Sequence, residues 1–272
     1  MHLPCLEALL DIVGLIALRE FLFAIMSGAV GLLVGARITA LAQATKDGKP
    51  YRFTCTGCPG CGRIRSETRW SATLQVLTDS GPCPTCGTPV PPDAIVLEVL
   101  VSVLFAAVTV RFWPSIVIPA FDTFVWTIIA LAYVDVRHMK LPSGPIYVCF
   151  AVAAVSFSGD ALIRGSVHRL ATAAAASVTA YGFFLLVEKL RPSDLGHGDV
   201  RFAGLIGFYV GWLGADNALA ALEIAAASAG AIATLLVLTR LVKWHDRLPL
   251  GCFLAVGAAA ALFIRTPPFR LG

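Results

Sequence analysis

Two aspartates carry the chemistry that this 272-residue chain could perform. Asp199 ends the tetrapeptide Gly196-His197-Gly198-Asp199 at the mouth of an apolar run, and Asp135 closes another apolar run 64 residues earlier. A carboxylate at the bilayer centre costs roughly 2.5 to 3.5 kcal/mol on insertion scales, so an acid near that depth usually faces protein or water and has a task. Two carboxylates brought together can hydrolyse a peptide. One, ionised, takes a proton from the attacking water; the other, protonated, polarises the carbonyl and then assists the leaving amine. Repulsion between like charges divides those roles, and the pair shares a proton and titrates as a unit. We therefore expect Asp135 and Asp199 to meet across one water, with acid and base roles unassigned. Capping of a helix end is the plainer use of either residue.

Their neighbours fit more than one purpose. Gly196 and Gly198 flank His197 and would let a substrate strand approach Asp199, or simply give a helix a flexible entry. Arg201 is placed to pair with a carboxylate or with a phospholipid headgroup. His138 and His197 read as polar interfacial residues, since a carboxylate dyad needs no third titrating group.

The elements that must position these residues are membrane helices. The chain is 57% hydrophobic and only 14% charged, with a mean hydropathy of +0.80, whereas soluble domains are about a quarter charged. Apolar stretches run approximately 12 to 43, 94 to 112, 114 to 134, 141 to 159, 168 to 188, 200 to 214, 217 to 240 and 248 to 264. They predict an all-α polytopic membrane protein with about eight transmembrane helices. The sixth is short and carries Gly204, Gly207, Gly211 and Gly214, which suits irregular backbone beside a site, or else close helix packing.

Basic residues orient the chain. The segments 44 to 93, 135 to 145, 188 to 201 and 240 to 248 hold fourteen Lys and Arg, against five (Arg111, Arg164, Arg169, Arg265 and Arg270) in the opposite connections. The positive-inside rule puts the first set in the cytoplasm, with both termini outside and Asp135 and Asp199 at cytoplasmic helix ends. The net charge of +4 is accounted for by this topology, and no basic aromatic patch calls for nucleic acid. Acids interrupt the amino-terminal segment and no A-x-A-like site follows, so it reads as a retained span rather than a cleavable signal. The expected organisation is a first span at 1–43, a cytoplasmic loop at 44–93, and a membrane domain with seven further helices at 94–272.

That loop holds five of the eight cysteines. Cys58-Pro-Gly-Cys61-Gly62 and Cys83-Pro-Thr-Cys86-Gly87 repeat one CPxCG turn, with 21 residues between them. Four thiolates on two such turns suit a closed structural zinc site, and a loop with few large apolar residues needs such a staple. Cys55 makes a competing CxxC with Cys58 but lacks the repeated Pro and Gly, so Cys58, Cys61, Cys83 and Cys86 are the expected ligands. Redox exchange is the alternative for these pairs. Cys5, Cys149 and Cys252 lie in apolar surroundings and read as buried thiols. Glu98 falls near a helix start, where the dipole favours it; Asp122 and Glu223 read as polar tethers between helices. Paired acids would also serve a zinc-stabilised scaffold or a proton- or cation-coupled transporter, but the halves show no convincing repeat.

Taken in order, these features resemble the type IV prepilin peptidases. The resemblance rests on CxxC pairs in the first cytoplasmic loop, Asp135 followed seven residues later by Pro142, and GxGD ending at Asp199 with Arg201 two places on. Leu97-Glu98, Ala130-Leu131, Leu141-Pro142, Gly211-Trp212-Leu213 and Leu248-Pro249-Leu250-Gly251 add to it. It implies a multi-pass protein of a prokaryotic inner membrane. Such a protein removes the leader of prepilins and pilin-like secretion proteins after a glycine, on the cytoplasmic side of their hydrophobic helix, using Asp135 and Asp199. Membrane lipid and the pilin-like substrate are the partners implied. Many members also methylate the new amino terminus with S-adenosylmethionine. Here the chain departs from the pattern: Gly35-Ala36-Arg37-Ile38-Thr39-Ala40 lacks the Asn of the usual Gly-Ser-Phe-Leu-Asn-Val stretch, and Arg63 to Trp70 replaces an Asn-Ile-Pro segment. Neither departure touches the proteolytic residues.

Overall fold

The computed structural model describes residues 4–48, 71–78, 82–83, 85–89, 91–190, 196–239 and 250–263, and among them every regular element is an α-helix. The first apolar run is two helices, α1 (Pro4–Gly35) and α2 (Arg37–Lys46), meeting at Ala36. The polar loop contributes α3 (Ala72–Leu77), after which come α4 (Pro92–Phe112), α5 (Ile118–His138), α6 (Ser143–Arg164), α7 (Val167–Leu190), α8 (His197–Leu213), α9 (Ala215–Leu238) and α10 (Leu250–Phe263). Pro92 and Asp93 open α4, where a missing N–H costs nothing and the dipole favours an acid. Gly165 closes α6 with a left-handed φ of 65°.

All eight expected stretches contain a helix. Five segments, Leu18–Lys46 and α4 to α7, are long and apolar enough to cross a membrane; α10 is apolar but has 14 residues. The exposed faces of α6 and α7 carry Val155, Leu162, Val178 and Leu186, a surface suited to lipid and costly in water. The chain is thus a multi-pass helical membrane protein.

The centre is built on α5, α6 and α8. Tyr209 of α8 stacks on Phe124 of α5 with ring centroids 4.2 Å apart, and Phe157 of α6 stacks on Trp212 at 4.4 Å. The Tyr209 hydroxyl donates to the Cys149 carbonyl at 3.1 Å, so its polar end is satisfied inside the core.

The glycines of α8 serve packing. A Cβ at Gly207 would lie 2.6 Å from the Ala176 carbonyl oxygen of α7, and one at Gly211 would lie 2.6 Å from the Ala176 Cβ. Gly204 faces Tyr181 of the same helix. These small residues let two helices approach closely, and α8 is regular to Leu213.

Three acids differ in their partners. Glu98 is 1% exposed and accepts from Ala72 N at 2.7 Å and Thr73 N at 2.9 Å, and from the Ser71 hydroxyl. It therefore caps α3 rather than its own helix, which corrects the expectation that its own dipole accounts for it. Asp122 does tether helices, through Ser27 Oγ of α1 at 3.3 Å. Glu223 is exposed on α9, so the tether expected of it is not made.

Candidate active site

Asp135 lies in the last turn of α5 and is 6% exposed. The helix ends where Met139 N donates to the Asp135 carbonyl at 2.8 Å. Met139 takes φ 49°, a left-handed cap that glycine normally fills. This reverses the chain so that Leu141 and Pro142 lead straight into α6, with Pro142 as its N-cap residue.

The Asp135 carboxylate points at a helix that is distant in sequence. Its Oδ2 accepts from Gly251 N of α10 at 2.8 Å, and the Cys252 amide also donates to it. The first amides of a helix have no intrahelical partner and carry its positive pole, so the start of α10 is a natural seat for an anion.

Asp199 occupies the first turn of α8. Its Oδ2 accepts from Gly196 N at 3.2 Å, and its own N–H donates to the Gly196 carbonyl at 3.0 Å. Its Oδ1 is buried with no protein partner. The Asp135 charge acts on Asp199, which puts the two carboxylates in one electrostatic neighbourhood.

Leu141 sets how the two helix starts meet. A Cβ on Gly198 would come 2.7 Å from the Leu141 Cβ, and a Cβ on Gly251 would come 2.8 Å from Asp135 Oδ2 and 3.4 Å from Leu141 Cδ1. Glycine at both positions therefore lets α8 and α10 close on the same leucine from two sides. Among the expected site residues, Asp135, Asp199, Gly196, Gly198 and Pro142 gather around the Met139–Pro142 turn.

Arg201 stands one turn into α8. Its Nη1 donates to Ser143 Oγ at 2.5 Å, and its guanidinium lies 5.7 Å from the Tyr147 ring centroid, so it fastens α8 to the start of α6. His197 Nδ1 meets Glu188 of α7 at 3.0 Å, a half-exposed pair consistent with its reading as an interfacial residue. Asp93, at the start of α4, accepts from Tyr133 at 2.6 Å and Arg137 at 2.5 Å. It holds the turn of α5 that carries Asp135. The sequence reading missed this brace, and the acid at a helix start 42 residues before Asp135 gave no sign of its partner.

Half of the expected metal set lies within the described residues. Cys83 N donates to the Thr88 carbonyl at 2.9 Å, and Gly87, at φ 69°, donates to the Cys83 carbonyl at 2.8 Å. This closes the turn that carries Cys83 and Cys86, two soft donors two residues apart, whose chemistry fits zinc. Cys86 Sγ lies 3.0 Å from Thr88 Oγ1. Cys55, Cys58 and Cys61 lie outside the described residues, and among the described ones no group of three candidate ligands assembles.

Comparison with known proteins points one way. A model of the type IV leader peptidase family matches residues 123–264, the part that contains both acids. The prepilin leader peptidase/N-methyltransferase of Burkholderia pseudomallei (strain K96243) is 27% identical over 252 residues, covering 87% of this chain and 78% of that protein. Proteins of the same name from Legionella pneumophila and Bacillus subtilis (strain 168) are 24% and 23% identical. The first alignment covers 76% of this chain and 71% of the relative, the second 57% and 61%. No solved structure matches significantly.

Proposed function

This chain belongs to the type IV leader peptidase family, and we propose that it is an aspartic endopeptidase in which Asp135 and Asp199 cleave the leader from prepilins and pilin-like proteins at the cytoplasmic face of the membrane. The observation that supports the reading is the convergence of the two acids around Leu141. Asp135 is seated on the amides of α10, while Asp199 keeps a buried oxygen without a protein partner. Asp199 Oδ1 thus has no protein hydrogen bond to give up when water or the scissile carbonyl reaches it. One carboxylate takes the proton of the water as its oxygen bonds to the carbonyl carbon. The other gives a proton to the carbonyl oxygen, and the tetrahedral intermediate collapses with a proton passing to the departing amine.

Zinc would be held by Cys58, Cys61, Cys83 and Cys86 and would act as a structural staple for the loop, away from the hydrolytic step. Residues 1–43, 44–93 and 94–272 then divide into a first span, this loop and the peptidase proper. The names of the relatives join peptidase to N-methyltransferase. Methyl transfer from S-adenosylmethionine is kept apart from this proposal, because Gly35 to Ala40 departs from the expected stretch; incorporation of labelled methyl into a cleaved pilin would assign it.

The deciding experiment compares cleavage of a membrane-embedded prepilin by the purified chain and by Asp135→Asn and Asp199→Asn. Each variant is expected to lose about 10²–10⁴-fold in kcat, the usual worth of a positioned acid or base. Normal cleavage by either folded variant defeats the dyad.

A further inference from the structure

The last turn of α5 is gripped from two sides. Tyr133 and Arg137 are four residues apart and share one face of the helix, whereas Asp135, two residues from each, lies about 160° round the axis. On its own side the Asp135 carboxylate accepts from the Gly251 amide of α10 at 2.8 Å. On the opposite side, Asp93 Oδ2 of α4 accepts from the Tyr133 hydroxyl at 2.6 Å and from Arg137 Nη2 at 2.5 Å.

Both of these bonds end on one carboxylate oxygen, and their donors stand one helical turn apart. Together they fix the rotation of α5 about its axis as well as its distance from α4. Asp93 is itself held, because its Oδ1 accepts from Ala94 N at 3.1 Å. The helix poles favour the arrangement: Arg137 sits in the last turn of α5 and Asp93 in the first turn of α4, each where the dipole prefers its charge. The ion pair alone would do little, since its side chains are 54% and 33% exposed and exposed pairs are weak. The phenol adds a short bond to a charged acceptor, and the Arg137 guanidinium lies 5.3 Å from the Tyr133 ring centroid, which ties the two donors to each other. Helix ends are where fraying begins, and Asp135 lies in such an end. A carboxylate that must meet a second one tolerates little displacement.

We propose that Asp93 is a positioning residue for the hydrolytic step: through Tyr133 and Arg137 it fixes the rotation of the last turn of α5, and with it the aim of Asp135 at the α10 amides and at Asp199. The inference rests on the peptidase reading and adds a residue on which the rate depends. Asp93 lies before the segment 123–264 that matches the family.

Two readouts on the full chain in detergent micelles test this. Asp93→Ala is expected to lower kcat on a prepilin-type substrate about tenfold while KM stays within about twofold, because binding of the substrate does not use the aim of the acid. In the same variant, amide hydrogen exchange at Gly251 should speed up about tenfold, since the acceptor of that first-turn N–H is Asp135. A brace that only fastens α4 to α5 leaves Gly251 exchange and kcat per folded molecule as in the native chain; either result overturns the proposal. Tyr133→Phe removes one hydroxyl and keeps the ring, so it carries the test even where Asp93→Ala does not fold. It should lower kcat and raise Gly251 exchange by about threefold, and adding it to Asp93→Ala should change nothing further. Native behaviour of Tyr133→Phe, or full additivity of the two losses, overturns the proposal. The exchange readout does not depend on hydrolysis: normal cleavage by Asp135→Asn defeats the dyad, while faster Gly251 exchange in Asp93→Ala still places Asp93 behind the seat of Asp135.

Discussion

Asp135 is held by a glycine that leaves no room for a side chain. A methyl group on Gly251 would sit 2.8 Å from Asp135 Oδ2, well inside contact distance, so Gly251→Ala must push the carboxylate or the start of α10 aside. Displacement by about 1 Å of a positioned catalytic group can cost 10²-fold. Gly251→Ala is accordingly expected to lower kcat by roughly ten- to a hundredfold, with protein level and fold kept. Gly182→Ala is the control, because a Cβ there meets nothing within 4 Å. Equal kcat values for the two variants would remove Gly251 from the site. The acids themselves were legible in the sequence, because a charge at the end of an apolar run is conspicuous. The seat of Asp135 was not, since its donor lies 116 residues away and nothing local to Asp135 encodes it. Leu141 was legible only as part of a motif; its role depends on two helix starts closing on it, a tertiary fact.

Helix positions followed from hydropathy because lipid leaves the backbone no alternative to internal hydrogen bonding. What composition does not carry is which helix a small or charged residue faces. The glycines of α8 admit α7, although their nearness to Asp199 in sequence favoured a role in the site. Glu98 likewise serves α3, across a loop, and its carboxylate receives two backbone amides and the Ser71 hydroxyl. Hydrogen bonds to a charged acceptor are worth about 1.5–3 kcal/mol each. Glu98→Ala should therefore detach α3 and speed hydrogen exchange at Ala72 and Thr73 by at least tenfold, with little change at α8. Unaltered exchange would show that α3 stands without this cap. The same loop carries the metal prediction. Purified chain should contain about one zinc, and Cys83→Ser or Cys86→Ser should lose it, because each removes one of four thiolates. Undiminished zinc in both variants sinks the assignment.

At the scale of the whole molecule, the reaction requires both acids to face the compartment that holds the leader. Charge bias is the sequence's statement on this, and the helices sharpen it into a geometric constraint. Lys140 and Val167 flank α6, a helix of 22 residues that rises about 33 Å at 1.5 Å per residue, enough to cross the hydrocarbon core of about 30 Å. Both positions are exposed, Val167 at 62%, and lie at opposite ends of one span. The fourteen basic residues expected inside include Lys140, so the positive-inside rule predicts Lys140 and the nearby Asp135 on the cytoplasmic side and Val167 on the other. In cells of a chain stripped of its native cysteines, Val167→Cys should react with a membrane-impermeant maleimide from outside. Lys140→Cys should react only after the membrane is opened. The reverse pattern would put Asp135 on the far side and end cytoplasmic cleavage as a reading. Labelling of both from outside would mean that α6 does not cross the membrane.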